Sequence, residues 1–282
     1  MTLWYPYWPV NRCLNAPMKT LSVLSLHFIV CTSSVHASPL FKQEGTDPTF
    51  TELISSGRLK KGKTLKTGVN GSRIIVDRAL VETSRESKQP IPSAIRIHTL
   101  ANSMIPRPDF GKWTRWYQEC GSTQVFRLFK DEVNTRNNRP NAARVEAFSV
   151  LTWQKGDWHE WSGTYTIVKP HGAAIFQAKN NINDWSVQIN MNMAGDVILN
   201  HRRGPDKVIA KNMVGKPFRI KVRDNGEEYV VFLNGAEIGR GAFKRPVGKS
   251  AFRWGMYLGK NKVSSDAMIL VSGVTIDQMH AP

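Results

Sequence analysis

The sequence predicts an all-β domain, a jelly roll in which two antiparallel sheets stack into a sandwich. Three observations carry this. From Trp113 onward, about ten short runs are apolar or alternate apolar and polar residues with the period of two expected of a half-buried strand. Turn chemistry separates them, at Gly172, Ala194-Gly195-Asp196, Asp224-Asn225-Gly226 and Asn234-Gly235. No long amphipathic helix interrupts the series, so the apolar strand faces have only each other to pack against.

Taken in order, the runs are TQVFRLF (123–129), ARVEAFSVLTW (143–153), GTYTIVK (163–169), AAIFQAK (173–179), WSVQINMNM (185–193), DVILNHR (196–202), FRIKVRD (218–224), EYVVFLNG (228–235), FRWGMYLG (252–259) and AMILVSGVTID (267–277). The sandwich is expected to span 109–282, entered through IPRPDFGKW (105–113). Residues 38–108 read as an N-terminal extension able to contribute strands, RIIVDRALVE among them, with a basic run RLKKGKTLKTG that fits a solvated face. Residues 1–37 read as a secretory signal region. Met18 opens a second possible start, Lys19 supplies the positive charge, Leu21–Cys31 the apolar stretch, and Val35-His36-Ala37 a small-residue cleavage site before Ser38.

The chain of 282 residues carries a net charge of +17. Removing residues 1–37 takes away Arg12 and Lys19 and no acid, leaving +15, and takes Cys13 and Cys31, leaving Cys120 without an internal disulfide partner. A secreted or periplasmic protein this basic is expected to meet a polyanion. No nucleic-acid-binding motif accompanies the charge, and no apolar run of the processed chain is long enough to span a membrane. His159, His171 and His201 lack metal-ligand spacing, so no metal site is predicted. No Walker, Rossmann or GxSxG fingerprint occurs, no cofactor is predicted, and a monomer is expected.

The most informative run is FRWGMYLG. Alternation places Arg253, Gly255 and Tyr257 on one face and Trp254 and Met256 on the other. A guanidinium and a phenol thus flank a glycine, which is read as room for a ligand across the strand. A cation beside a phenol favours the phenolate. Other runs add to the same kind of face: Arg144 and Glu146 on one strand, Gln177 and Lys179 on the next, then Gln188, Asn190 and Asn192, then Asn200 and Arg202, with His201 on the opposite parity. Amides and guanidinium groups suit sugar hydroxyls and carboxylates, which need directional donors and positive charge. The same residues also fit an ion-pair ladder at Arg144–Glu146 and a solvated polar sheet face.

Arg144-Val145-Glu146, Gln177-Ala178-Lys179 and Arg253-Trp254-Gly255-Met256-Tyr257 together resemble three strand motifs of the concanavalin A-like jelly-roll polysaccharide lyases, of the alginate-lyase, glucuronan-lyase and heparin-lyase-like type. The resemblance covers roughly residues 110–279, and Lys179 stands where the alginate-lyase pattern has a histidine. It implies a secreted lyase that cleaves an acidic, uronate-containing polysaccharide by β-elimination, with the motifs on the concave sheet. In that reading Gln177 and Arg144 neutralise the uronate carboxylate, with Lys179 or Arg253 assisting. Tyr257 protonates the leaving oxygen, and Tyr257, Lys179 or His201 takes the C5 proton. Glu146 orients Arg144, and Arg253, Gln188, Asn190, Asn192, Asn200, Arg202 and His201 contact substrate. The alternative is a lectin-like module that binds the same polymer without cleaving it. A glycoside hydrolase would need a second carboxylate facing Glu146, and none is apparent.

Overall fold

The computed structural model describes residues 40–77, 90–100, 104–182, 184–202, 204–242 and 249–279. Residues 1–37, expected to be a signal region, lie outside them. In chain order the strands are β1 (Phe41–Glu44), β2 (Arg73–Val76), β3 (Ile95–His98), β4 (Met104–Pro106), β5 (Tyr117–Cys120), β6 (Thr123–Leu128), β7 (Arg144–Ser149), β8 (His159–Lys169) and β9 (Ala173–Asn180). They continue as β10 (Trp185–Met191), β11 (Val197–His201), β12 (Lys207–Ala210), β13 (Phe218–Asp224), β14 (Glu228–Leu233), β15 (Ala236–Ala242), β16 (Ser250–Tyr257) and β17 (Ala267–Gln278). One short helix, α1 (Phe50–Ser55), opens on a capping box between Thr49 and Glu52. A 3-10 turn spans Arg107–Lys112.

The strands form two large antiparallel sheets, so the molecule is the two-sheet jelly roll the sequence predicts. The eight-stranded sheet runs β12-β11-β10-β9-β16-β7-β3-β4 and the seven-stranded sheet β15-β14-β13-β8-β17-β6-β5. Turn chemistry sets several registers. Asn234 and Gly235 both take positive φ, of 48° and 87°, so a two-residue turn joins β14 to β15 with Leu233 opposite Ala236.

A boundary near residue 109 does not divide this fold. β3 pairs with β7 through Ile95↔Ser149, Ile97↔Ala147 and His98↔Glu146, so residues 95–106 belong to the eight-stranded sheet. The β1–β2 ribbon covers part of the outer face of the seven-stranded sheet, where Ile74 and Val76 bury against Val125, Met268 and Leu270. Arg127 reaches Asp47 at 3.1 Å, and Arg115, fully buried, is paired with Glu132 at 3.0 Å and donates to the carbonyl of Pro48.

The core between the sheets fixes the strands that matter for the site. Trp254 of β16 and Phe176 of β9 point inward onto Trp161 of β8, with ring centroids 4.8 Å apart for Trp161–Phe176 and 5.8 Å for Trp161–Trp254, and Phe252 of β16 packs on Phe176 at 5.7 Å. Trp254 donates its indole N–H to Gln124 at 2.8 Å, which keeps that buried polar atom satisfied. With Phe176 and Trp254 locked inward, their neighbours Gln177 and Arg253 face outward.

Gly255 requires a correction. Its φ is +118°, and the pairing with β9 slips between Trp254 and Tyr257, so β16 carries a bulge there. A Cβ at this position would stand 2.5 Å from the Val145 carbonyl oxygen and 2.8 Å from Phe126 of the opposite sheet. The glycine therefore serves the backbone and the core and does not open room for a ligand on the outer face. Gly255→Ala is expected to destabilise the fold by about 2–4 kcal/mol, through strain at positive φ and overpacking against Phe126, measured as a lowered denaturation midpoint.

Candidate functional site

The outward face of the eight-stranded sheet brings most of the predicted residues together. Register places Asn200, Gln188, Gln177 and Arg253 in one row across β11, β10, β9 and β16. The same row continues to Phe148 of β7 and Arg96 of β3. Farther along the strands Gly255, Glu146 and His98 are opposite one another, and beyond them Asn190, Ala174, Tyr257 and Arg144. Lys179 lies toward the other end, opposite Ala251 and Trp185.

Glu146 is the hub. It is buried and accepts a 2.7 Å hydrogen bond from the Gln177 amide, which in turn accepts one from Gln188 at 3.1 Å. The Arg144 guanidinium lies 3.6 Å from the second Glu146 oxygen and stacks over the Tyr257 ring, 4.4 Å from its centroid. Arg253 stacks on Phe148 at 3.9 Å. The Nε groups of Arg144 and Arg253 are buried and have no hydrogen-bond partner among the described residues. Buried N–H groups are ordinarily paired, so these two are donors without an acceptor.

One residue of this face escapes the sequence reading. His98 of β3 is 7 % exposed, directly opposite Glu146, and packs its ring on Phe148 at 4.1 Å. Neither ring nitrogen has a partner among the described residues. The available signal was local: His98 shares strand parity with Arg96 in IRIH, but only the pairing of β3 with β7 carries it to the site.

Three groups here are held away from their ordinary charge balance. Burial, followed by the Arg144 and Arg253 charges, pushes His98 down to about 3, so its imidazole is neutral. Burial lowers Arg253 to about 10, with Glu146 acting in the opposite direction. Lys179 falls to about 8, first from burial and then from Arg253, again opposed by Glu146. The folded value of Lys179 lies below its ordinary 10.5, so the native state carries the cost of a buried cation at any pH below 8 and sheds it as pH rises toward 10.5. Lys179→Met is accordingly expected to stabilise the protein by about 1–3 kcal/mol near pH 6–7, a gain that shrinks toward pH 10 in thermal denaturation.

A cleft of about 600 Å3 opens beside these residues, lined by Arg96, His98, Phe148, Lys179, Lys249 and Arg253 among others. No carboxylate lines it among the described residues. Nor does any group of three His, Cys, Asp or Glu side chains among them form a possible metal site.

Other expected contacts fall elsewhere. His201 turns inward and hydrogen-bonds through Nδ1 to the Tyr229 hydroxyl of β14, so it is neither a base nor a ligand contact on this face. Asn192 lies just past the end of β10, where its side-chain oxygen accepts from the backbone N–H groups of Ala194 and Asp196 at 2.9 Å each. It shapes a turn. Arg202 pairs with Asp184 at 2.8 Å and stacks on Trp185 at 5.0 Å, at the margin of the site near Lys179. Asn190 and Asn200 are half-buried on the outward face.

Comparison with models of protein families and with curated proteins gives no match. Comparison with solved structures does. Alginate lyase AlgAT5 of polysaccharide lyase family 7 superposes with a TM-score of 0.55 at 14 % identity, covering 67 % of this chain and 95 % of that one. The alginate lyase of Corynebacterium sp. gives 0.56 at 12 % identity, over 66 % and 95 % of the two chains. The family 7 alginate lyase A1-II', as a variant with a histidine and a tyrosine replaced and in complex with substrate, gives 0.54 at 11 % identity over 67 % and 94 %. These likenesses lie in the backbone, and each covers nearly the whole of the neighbouring chain. The fold of this chain is the alginate-lyase-like jelly roll.

Proposed function

We propose that this protein is a secreted polysaccharide lyase that cleaves a uronate-containing chain by β-elimination. The observation that carries the reading is a buried hub, Glu146 with Gln177, ringed by Arg144, Arg253, Lys179 and Tyr257, in which two guanidinium N–H groups await an acceptor. A uronate carboxylate supplies that acceptor. The chemistry requires it: as the C5 proton leaves, negative charge builds beside the carboxylate, and preorganised donors offset it, each worth roughly 3–4 kcal/mol in comparable oxyanion sites. The fold it shares with alginate lyases agrees with this reading.

The rows of the sheet favour Tyr257 among the possible proton acceptors. Lys179 is opposite Ala251, five residues along β9 from the Ala174 that faces Tyr257, or about 17 Å of strand. Base and acid must reach adjacent carbons of one sugar, and that separation disfavours Lys179 as the partner of Tyr257 on the reacting sugar. Tyr257 takes the C5 proton and returns one to the leaving C4 oxygen as the C4–O bond breaks and the C4=C5 double bond forms. Lys179 attracts the anionic group of a neighbouring sugar.

Incubation with a panel of polyuronates, followed by the ultraviolet absorbance of the unsaturated product, tests this. Product from at least one polyuronate is the expected result. Binding without product would leave the lectin-like reading in its place.

A further inference from the structure

We propose that His98 is a sugar-reading residue whose two unpartnered ring nitrogens hydrogen-bond hydroxyls of the uronate held at Arg144 and Arg253. The inference rests on the lyase reading only in that it takes the ligand to be a uronate chain.

The geometry points to a ligand. An imidazole that is nine-tenths buried ordinarily satisfies at least one nitrogen within the protein. Here both are unpartnered, and the residue lines the open cleft with Arg96, Lys179 and Arg253. Phe148 stacks against the ring, Met104 lies opposite on β4, and Glu146 opposite on β7. The charged groups around it are Arg96 on its own strand, Arg144 and Glu146 on β7, Arg253 on β16 and Lys179 on β9.

The charge state of His98 selects the role. A ring that resists protonation down to about pH 3 is a poor acceptor of a proton from carbon near neutral pH. It also adds no charge to a face already rich in cations. A neutral imidazole offers one N–H donor and one lone pair, and a sugar hydroxyl is itself donor and acceptor. His98 therefore complements the part of a uronate that arginines cannot read: the cations hold the carboxylate, and the imidazole reports whether the neighbouring hydroxyls are present and free.

The test uses two oligomannuronates that differ only in O-acetylation of the ring hydroxyls, titrated calorimetrically against the full chain carrying Tyr257→Phe, which keeps the ring and prevents turnover. Adding His98→Phe is expected to weaken binding of the unacetylated oligomer about tenfold or more, and adding His98→Gln, neutral with donor and acceptor, about threefold or less. The acetylated oligomer is expected to bind weakly and equally to all three. Thermal denaturation of each variant checks that the fold is kept. Unchanged affinity in folded His98→Phe would overturn the proposal. So would a loss confined to kcat at unchanged KM in the Tyr257-containing protein, which would make His98 a proton carrier. Failure of the wild-type chain to form unsaturated product would remove the lyase reading while leaving this binding test intact. Absence of binding to either oligomer would overturn the His98 proposal, and the lyase reading would then rest on the polyuronate panel.

Discussion

Tyr257→Phe is expected to lower kcat for unsaturated-product formation by about 10²–10⁴ while leaving KM nearly unchanged. The substitution removes one oxygen. The ring stays, and with it the Arg144 guanidinium stacked 4.4 Å from the ring centroid, so the cationic part of the site keeps its shape. The hydroxyl is used chiefly in the transition state, when a proton leaves C5 and another reaches the C4 oxygen, so its loss appears in turnover. Steady-state kinetics, together with calorimetric binding of the same polymer, separates the two quantities. Undiminished product formation in this variant would sink the mechanism.

Glu146→Ala has the largest expected effect on stability, a loss of about 3–5 kcal/mol. Glu146 is 2 % exposed and is the only carboxylate that Arg144, Arg253 and Gln177 share among the described residues. Its charge opposes the burial penalty of Arg253 and of Lys179. Without it, like charges face one another on a poorly solvated surface, and the Gln177 amide loses the acceptor that orients it. Glu146→Gln keeps an acceptor for Gln177 and loses only the charge. The difference between the two variants in urea unfolding therefore divides the electrostatic share from the hydrogen-bond share. Added salt is expected to recover part of the loss in both.

Strand parity made much of this site legible in the sequence. Alternation in FRWGMYLG put Trp254 and Met256 inward and Arg253 and Tyr257 outward, and the structure has both apolar side chains fully buried. Most of what failed depended on partners distant in sequence. His98 reaches the site only through the pairing of Ile95 with Ser149, a contact that no local pattern in IRIH encodes. Gly255 looked like a gap because its alternation was read along one strand, whereas its role follows from a slip against β9. Asn192 was assigned to a ladder of amides although Ala194-Gly195-Asp196 already marked a turn, and Asn side chains commonly bond the backbone two residues on. Residues 38–108 read as an extension able to contribute strands, but which strands, and where, stayed open for the reason His98 did: strands of four and three residues, β3 and β4, carry too little periodicity to announce a place in a sheet.

The β1–β2 ribbon has a practical bearing on shortening the gene. A version begun at residue 109 would lack β3 and β4, and with them an edge of the site-bearing sheet, so β7 would present an unpaired edge. It would also strip Ile74 and Val76 from Val125, Met268 and Leu270, uncovering an oily patch on the opposite side. Exposed strand edges and apolar patches both promote aggregation. Such a fragment should collect in inclusion bodies, whereas one begun at Ser38 keeps both protections.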